Sequence, residues 1–203
     1  MRVIGITGGV GAGKSEVLKL IEGICSCIIV TADDLARSLE RPGEVCYEPL
    51  VRLLGRSVLS DDGQIDAAAM SRMIFAEGNE HILKEVNSIV HPAVKKRIRQ
   101  MIDDAKCEGR ADFFFIEAAL LIEDHYDKIV DELWYIYADE DVRRSRLRQT
   151  RGYSDEKISR IFDSQSSDET FRKHCDVIID NSKTLDETRS QLIFHLGKQT
   201  DVR

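Results

Sequence analysis

The most restrictive feature of the chain is a glycine-rich segment near its N-terminus, residues 8–15, which reads GGVGAGKS. An apolar run with Val3 and Ile6 precedes it, and the spacing of Val17 and Ile21 after it is typical of a helix. Strand, glycine loop and helix follow one another with the fixed residues of the Walker A spacing. Because glycines let the backbone approach a triphosphate closely, this order predicts a phosphate-binding loop. The alternative is a glycine-rich turn without a ligand.

Each residue type in this loop suits one part of a bound triphosphate. The backbone amides and the positive end of the following helix dipole favour phosphate oxygens. Lys14 is expected to act on the outer phosphates as a catalytic point charge, and the Ser15 hydroxyl is expected to bind Mg²⁺. The predicted ATP contacts in this segment are Gly8, Gly9, Gly11, Ala12, Gly13, Lys14, Ser15 and Glu16.

The remaining apolar runs are short and alternate with helical patterns. This alternation predicts an α/β fold, the three-layer P-loop NTPase arrangement of a five-stranded parallel sheet between helices. Nucleotides bind at the carboxyl ends of the strands in such sheets. The predicted strands are residues 2–6, 28–30, 113–116, 133–137 and 177–179.

The helical patterns carry their own boundary signals. Pro92 suits the first position of a helix, where its missing N–H is not needed. In the closing helix, the leucines at 185, 192 and 196 and the isoleucine at 193 are expected to face the core. The predicted helices are residues 14–22, 33–39, 45–54, 67–75, 81–90, 93–105, 141–149, 155–163 and 185–196.

Between the second and third predicted strands, helices follow one another without an intervening strand, which indicates an inserted subdomain. An arginine-rich stretch after the fourth strand is interpreted as a mobile lid. We therefore predict a core of about residues 1–58, 106–140 and 172–203, a helical insertion of about 59–105 and a lid of about 141–171.

The composition argues against several classes of protein. With 32% charged and 42% hydrophobic residues, and no apolar run of membrane-spanning length, the chain is typical of a soluble protein. The N-terminus does not resemble a signal peptide, since few apolar residues separate Arg2 from the glycines. A net charge of −7 argues against nonspecific binding to nucleic acid or an anionic membrane, and is compatible with a small anionic ligand.

The five cysteines are odd in number and form no CxxC pair, which argues against a zinc site or a disulfide framework. Reduced thiols in a cytoplasmic protein are the expectation. The expected partners are small-molecule substrates, with neither nucleic acid nor membrane among them.

Phosphoryl transfer also needs a carboxylate beside the acceptor hydroxyl. Asp33 lies just past the second predicted strand, so it is the candidate for orienting and deprotonating that hydroxyl. The alternative is that Asp33 only caps the following helix. Asp34 is interpreted as an exposed first-turn acid, and Arg37, one turn after Asp33, as a contact for an anionic acceptor.

Glu117 follows a buried strand, where it can lie near Mg²⁺, or it can simply face solvent or pair with a basic residue. The predicted lid holds Arg143, Arg144, Arg146, Arg148 and Arg151. Arginine suits bidentate phosphate contacts, so at least one of the five is expected on the triphosphate. The alternative is a solvated helix whose arginines pair with nearby acidic residues.

These features together resemble the dephospho-CoA kinase family, within the P-loop kinases related to nucleoside-monophosphate kinases. The resemblance covers nearly the whole chain and rests on an ordered set of short matches rather than on the glycine loop alone. The matches are residues 7–15, Ala32-Asp33, Arg37, Pro42-Gly43, Gly55, Asp62-Gly63, Ile65-Asp66, Ile74-Phe75, residues 89–92, residues 120–123, Arg146-Leu147, Arg160-Ile161, Gln165 and residues 179–181.

The resemblance implies transfer of the γ-phosphate of ATP to the ribose 3′-hydroxyl of dephospho-CoA, giving CoA and ADP, the last step of CoA biosynthesis. It also implies a core, a helical CoA-binding domain and a lid, with Asp33 as the base. Arg146 would contact ATP from the lid and Asn181 would lie near the adenine. The implied acceptor contacts are Arg37, His91, Leu120 and Glu123.

The chain departs from the usual pattern of this family in four places. Thr31 stands where an Asp usually precedes Ala-Asp, Ala67 where an Arg usually follows Ile-Asp, and Ala119 where a Pro usually precedes Leu-Leu. Thr150 stands where a lid Arg is usual; Arg151 is one place later, which turns a helical side chain by about 100°. Two other readings therefore stay open: a kinase of the same fold for a nucleoside or another small molecule, and a nucleotide-binding relative without catalysis.

Overall fold

The structure, a computed structural model, describes residues 1–197, so residues 198–203 of the predicted core lie outside the described part. The chain divides into two compact units. One comprises Met1–Ile29 and the chain from Ala105 onward, and the other comprises Val30–Asp104. The finer division into core, insertion and lid stays a prediction.

The sheet has five parallel strands in the order β2-β3-β1-β4-β5, which confirms the predicted fold class. In the central strand, Ile6 lies opposite Glu117 on one side and Trp134 on the other. This register brings the ends of β1, β3 and β4 to one edge of the sheet. The strands are β1 (Arg2–Thr7), β2 (Cys27–Thr31), β3 (Phe113–Glu117), β4 (Glu132–Tyr137) and β5 (Val177–Asp180).

The three central strands, β1, β3 and β4, form because they are buried on both faces, as their unbroken apolar runs predict. Ile4 and Ile6 are fully buried, and so is Trp134, the only tryptophan of the chain. The Trp134 ring packs edge-on against Phe115, with 6.3 Å between centroids, and its indole N–H donates to Glu132 at 2.8 Å. The core of the first unit is therefore centred on the strands that carry the glycine loop.

The helices of the described part agree with the predicted pattern in most places. The segment Asp168–His174 forms a further helix that was not predicted, and it begins where the Ser167 hydroxyl accepts from the Thr170 amide. The helices are α1 (Lys14–Glu22), α2 (Ala32–Leu39), α3 (Tyr47–Leu54), α4 (Ala67–Ile74), α5 (Glu80–Glu108), α6 (Glu140–Arg151), α7 (Asp155–Asp163), α8 (Asp168–His174) and α9 (Leu185–Gly197).

The two helices predicted on either side of Pro92 are one continuous helix, α5, so that boundary was wrong. Buried apolar residues recur every four positions through the proline: Val86, Val90, Val94, Ile98 and Ile102. This stripe keeps one register on both sides of Pro92, so packing favours a single helix. The proline removes only one backbone hydrogen bond from it.

The predicted inner face of α9 was also wrong in part. Leu192 and Leu196 are buried, but Leu185 and Ile193 are 45% and 44% exposed. The inner stripe begins instead at Thr188, which is fully buried because its hydroxyl donates to the Asn181 side chain at 3.0 Å. In the described part, residues 1–197, no helix is long and apolar enough to cross a membrane.

Candidate functional site

The glycine loop joins the end of β1 to the start of α1. Gly13 adopts a left-handed conformation (φ 87°) at the N-cap of α1, and its carbonyl accepts from the amides of Glu16 and Val17 at 3.0 Å. Gly8 has φ 147°, and a Cβ there would lie 2.4 Å from the Ile136 carbonyl oxygen. Both positions therefore require glycine, for backbone conformation and for close approach respectively.

Lys14, the first residue of α1, is held against the loop that precedes it. Its Nζ donates to the Gly8 carbonyl at 2.8 Å and lies 3.6 Å from Glu117 Oε1 at the end of β3. Both side chains are mostly buried, at 15% and 19% exposure. Glu117 thus pairs with a basic residue, and its place near Mg²⁺ stays a prediction. The arrangement fixes the ammonium group at the site where the sequence predicts phosphates.

Arg143 of α6 contacts the glycine loop through the main chain of Val10. Its Nε donates to the Val10 carbonyl at 2.9 Å, and its Nη2 donates to Gln165 Oε1 at 2.8 Å. The guanidinium lies 4.1 Å from the centre of the Phe162 ring. Burial lowers the pKa of Arg143 from its ordinary value. This arginine therefore holds the loop.

Arg146, one turn along α6, contacts the next part of the loop. Its Nη1 donates to the Ala12 carbonyl at 3.3 Å and its Nη2 to the Asn181 carbonyl at 2.8 Å. Asn181, which follows β5, donates from its own side chain to the Ala12 carbonyl at 2.8 Å, and Thr188 holds the other end of that amide. The structure thus brings Arg146 and Asn181 together at Ala12. Their contacts with ATP stay predictions.

Two of the other arginines of α6 pair with acidic residues. Arg144 binds Glu140 at 2.8 Å and Arg148 binds Asp155 at 2.7 Å, as the alternative of a charged surface helix predicts. Thr150, at the position of a usual family arginine, donates to the Arg146 carbonyl at 2.7 Å. This bond caps a helical carbonyl and carries no charge toward a phosphate.

Asp33 lies in the first turn of α2 and is exposed. The residue that caps this helix is Thr31, whose hydroxyl accepts from the Asp34 amide at 3.3 Å, so the reading of Asp33 as the cap was wrong. Asp34 is exposed, as expected, and accepts from the Thr31 hydroxyl at 2.6 Å. Arg37 pairs with Asp34 at 3.4 Å. The departure at Thr31 therefore has a local structural role.

The remaining predicted site residues lie in varied surroundings. Ser15 and Glu16 are exposed at the start of α1, and Glu16 pairs with Lys19 at 3.4 Å. Leu120 is 46% exposed, and Glu123 accepts from the Ser166 hydroxyl at 2.5 Å. His91 lies inside α5 and is half-buried. Their roles toward ATP or the acceptor stay predictions.

The sequence did not indicate the contacts that Arg143 and Gln165 make with Val10. The five arginines of α6 look alike in the sequence, and Gln165 appeared only as one match among many. The one available signal was Gly9, because a Cβ at that position would lie 2.4 Å from Arg143 Nη2. In the sequence alone, however, a glycine needed because an arginine side chain packs against it looks the same as a glycine needed because a phosphate binds there. Gly9 therefore could not have identified Arg143 as its neighbour.

Comparison with known proteins identifies similarities over nearly the whole chain. Residues 2–187 match the family model CoaE, dephospho-CoA kinase. A dephospho-CoA kinase of Carboxydothermus hydrogenoformans is 36% identical over 97% of this chain and 93% of its own length. One from Corynebacterium diphtheriae is 34% identical over 92% of this chain and 91% of its own length.

Solved structures give the same picture of the fold. The protein TT1252 from Thermus thermophilus superposes with a TM-score of 0.80 and 26% identity, covering 98% of this chain and 97% of its own. Dephospho-CoA kinase from Campylobacter jejuni superposes with a TM-score of 0.72 and 21% identity, covering 97% of this chain and 96% of its own.

Proposed function

The chain belongs to the dephospho-CoA kinase family, and from that premise we propose that it transfers the γ-phosphate of ATP to the ribose 3′-hydroxyl of dephospho-CoA, giving CoA and ADP. The observation that supports this most directly is the glycine loop with Lys14 held over it at 2.8 Å from the Gly8 carbonyl. A fixed cation and backbone amides stabilise the charge that develops on the transferred phosphoryl group.

Asp33 is the proposed general base. It follows β2, at the carboxyl end of a parallel strand, where ligands of such sheets bind. Thr31 caps α2, and Asp34 pairs with Arg37. The capping bond and the ion pair at the start of this helix are therefore made by neighbours of Asp33. An exposed carboxylate in this position suits the removal of a proton from the acceptor hydroxyl.

Mg²⁺ is proposed as the metal of the reaction, with the Ser15 hydroxyl as its protein ligand. The hydroxyl is exposed at the second residue of α1, and its hard oxygen fits Mg²⁺. Residues 1–197 contain no cluster of three or more His, Cys, Asp or Glu side chains suited to a metal. A site of this kind fits an ion bound largely by phosphates and water. Bound Mg²⁺ neutralises charge on the phosphates.

The acceptor contacts are proposed for Arg37, His91, Leu120 and Glu123 on the basis of the family pattern alone. We also retain the division into core, CoA-binding insertion and lid as a proposal. Small-molecule substrates are the proposed partners. The five cysteines are free thiols, as expected in a reducing compartment, so we propose a cytoplasmic location.

The decisive experiment is an assay of ADP formation coupled to a detectable reaction, with Mg²⁺, ATP and dephospho-CoA. The proposal expects turnover that requires all three, with CoA as the product by chromatography. A panel of nucleosides and monophosphates is the control for another acceptor. ATP binding without turnover on any acceptor would identify a non-catalytic relative and end the proposal.

A further inference from the structure

Val10, in the middle of the glycine loop, is held at both of its backbone polar groups by residues far along the chain. Its N–H donates to Gln165 Oε1 at 3.2 Å, and its carbonyl accepts from Arg143 Nε at 2.9 Å. Arg143 Nη2 donates to the same Gln165 oxygen at 2.8 Å. Three hydrogen bonds therefore close a ring through Val10, Gln165 and Arg143, which we call the Val10 ring.

The guanidinium in this ring has little freedom to move. It lies 4.1 Å from the centre of the Phe162 ring, a distance at which the aromatic face attracts a cation. On another side it meets Gly9, where an added Cβ would lie 2.4 Å from Nη2. The position of Arg143 is therefore fixed by α7 and by the loop together.

Gln165 acts in this ring only through its oxygen. Both the Val10 amide and the Arg143 guanidinium donate to Oε1. A side chain with an acceptor at the same place would preserve both bonds, and a side chain of the same shape without one would lose both. This requirement separates the acceptor from the bulk of the glutamine.

We propose that Gln165 is a positioning residue for the phosphate-binding loop, an inference that rests on the proposed kinase function. Through the Val10 ring it orders the loop between Gly9 and Gly11 before a nucleotide arrives. When the loop is already ordered, ATP binding does not include the conformational-entropy cost of ordering it. Without the Val10 ring that cost is added to the free energy of ATP binding, and the affinity falls. Gln165 itself makes no contact with the phosphates in this proposal.

The test compares Gln165→Met, which keeps the shape, with Gln165→Glu, which keeps the acceptor. Arg143 balances the added charge because it already lies 2.8 Å from that oxygen. The matched control is Gln149→Met, since Gln149 is exposed on α6 and bonds only to Ser145 in the contacts described. KM and kcat are measured for both substrates, and the Kd of ATP by calorimetry.

For Gln165→Met we expect KM and Kd for ATP to rise on the order of tenfold, as for loss of a hydrogen bond to a charged group. The kcat and the KM for dephospho-CoA should stay within about threefold of the parent protein. Gln165→Glu should restore the ATP values, and Gln149→Met should leave them unchanged. An unchanged Kd for ATP in Gln165→Met, or equal impairment in Gln165→Glu, would overturn the proposal.

The two proposals fail in different ways. If the parent protein does not phosphorylate dephospho-CoA, the proposed function fails while the comparison of ATP affinities still decides the role of Gln165. If the parent protein is active and all three variants bind ATP equally, only the Gln165 proposal fails.

Discussion

The glycine loop and the start of α2 each carry one proposed reacting group, and they are built in opposite ways. Lys14 and its loop are held by side chains from four other parts of the chain: Glu117, Arg143, Gln165 and Asn181. The contacts described around Asp33 run from Thr31 to Asp34 and from Asp34 to Arg37, each between residues three positions apart. The loop depends on long-range packing, whereas the Asp33 segment depends on local helix chemistry. A substitution in the loop should therefore disturb residues far along the chain as well as the loop itself. A substitution at the start of α2 should disturb only the neighbouring residues of that helix.

The largest expected effect is at Asp33. Asp33→Asn keeps the shape and removes the base, so kcat should fall on the order of 10² to 10⁴-fold while the Kd of ATP changes little. Asp34→Asn is the matched control, because Asp34 is exposed and already engaged by Arg37. Steady-state kinetics of the two variants measure the difference, and a near-normal kcat for Asp33→Asn would remove Asp33 as the base.

The second effect concerns the cation of the loop. Lys14→Met should lower kcat/KM by about 10² to 10³-fold, because it removes a preorganised charge from the transferred phosphoryl group. Lys19→Met serves as the control on the same helix, since Lys19 is 70% exposed and pairs only with Glu16 in the contacts described. Equal activity of the two variants would contradict the assignment of Lys14.

The third prediction tests whether effects at the loop spread. Gly13→Ala forces a side chain into φ 87°, with Cβ 2.4 Å from Asn181 Nδ2, so the bond from Asn181 to Ala12 must break. We expect a loss of about 2–3 kcal/mol in the free energy of unfolding. Gly23→Ala, at φ −84° and with no contact under 3.5 Å, should be nearly neutral.

Denaturant titration measures both glycine variants. A Gly13→Ala protein as stable as Gly23→Ala would show that Asn181 moves away without loss, and that the loop is less dependent on long-range contacts than the comparison states. Gly13→Ala should also bind ATP more weakly, because the same loop backbone makes the stabilising contact with Asn181 and the predicted contacts with phosphate.

The smallest effect tests whether changes at α2 stay local. Thr31→Ala removes the cap of α2 and should lower the free energy of unfolding by about 1 kcal/mol. Thr31→Ser keeps both the capping oxygen and the hydroxyl proton that Asp34 accepts, so it should be close to the parent. Circular dichroism during thermal unfolding measures this. A loss in Thr31→Ser as large as in Thr31→Ala would contradict the capping role.

The sequence predicted the fold well where one periodicity decides the outcome. The apolar runs predicted all five strands, because buried parallel strands differ clearly from their neighbours. It failed where two signals compete: at Pro92 a local breaking signal yields to a continuous apolar stripe, and at Thr188 a polar residue is buried because a specific partner, Asn181, exists. Packing decides both cases, and packing is not visible in local sequence.

For the site, the sequence predicted the loop itself but not what surrounds it. The glycine spacing is readable because it encodes backbone conformation, which is local. Pairing of Glu117 with a basic residue was one of the alternatives that the sequence left open, and the structure shows Lys14 as that residue. The sequence could not distinguish Arg143, which contacts the loop, from Arg148, which pairs with Asp155. Contacts between residues more than a hundred positions apart depend on the order and register of the strands in the folded sheet. Local sequence patterns do not specify that order and register.

The burial of Trp134 in the central layer has a practical consequence. Since it is the chain's only tryptophan and lies in β4, intrinsic fluorescence excited at the indole band reports on the environment of this sheet alone. Emission should be blue-shifted in the native protein and move to longer wavelength as the sheet opens. Unfolding of the Val30–Asp104 unit alone would not shift the emission of Trp134, whereas it would lower the helical ellipticity. Comparing the two signals during unfolding would therefore show whether the two units unfold together or in separate transitions.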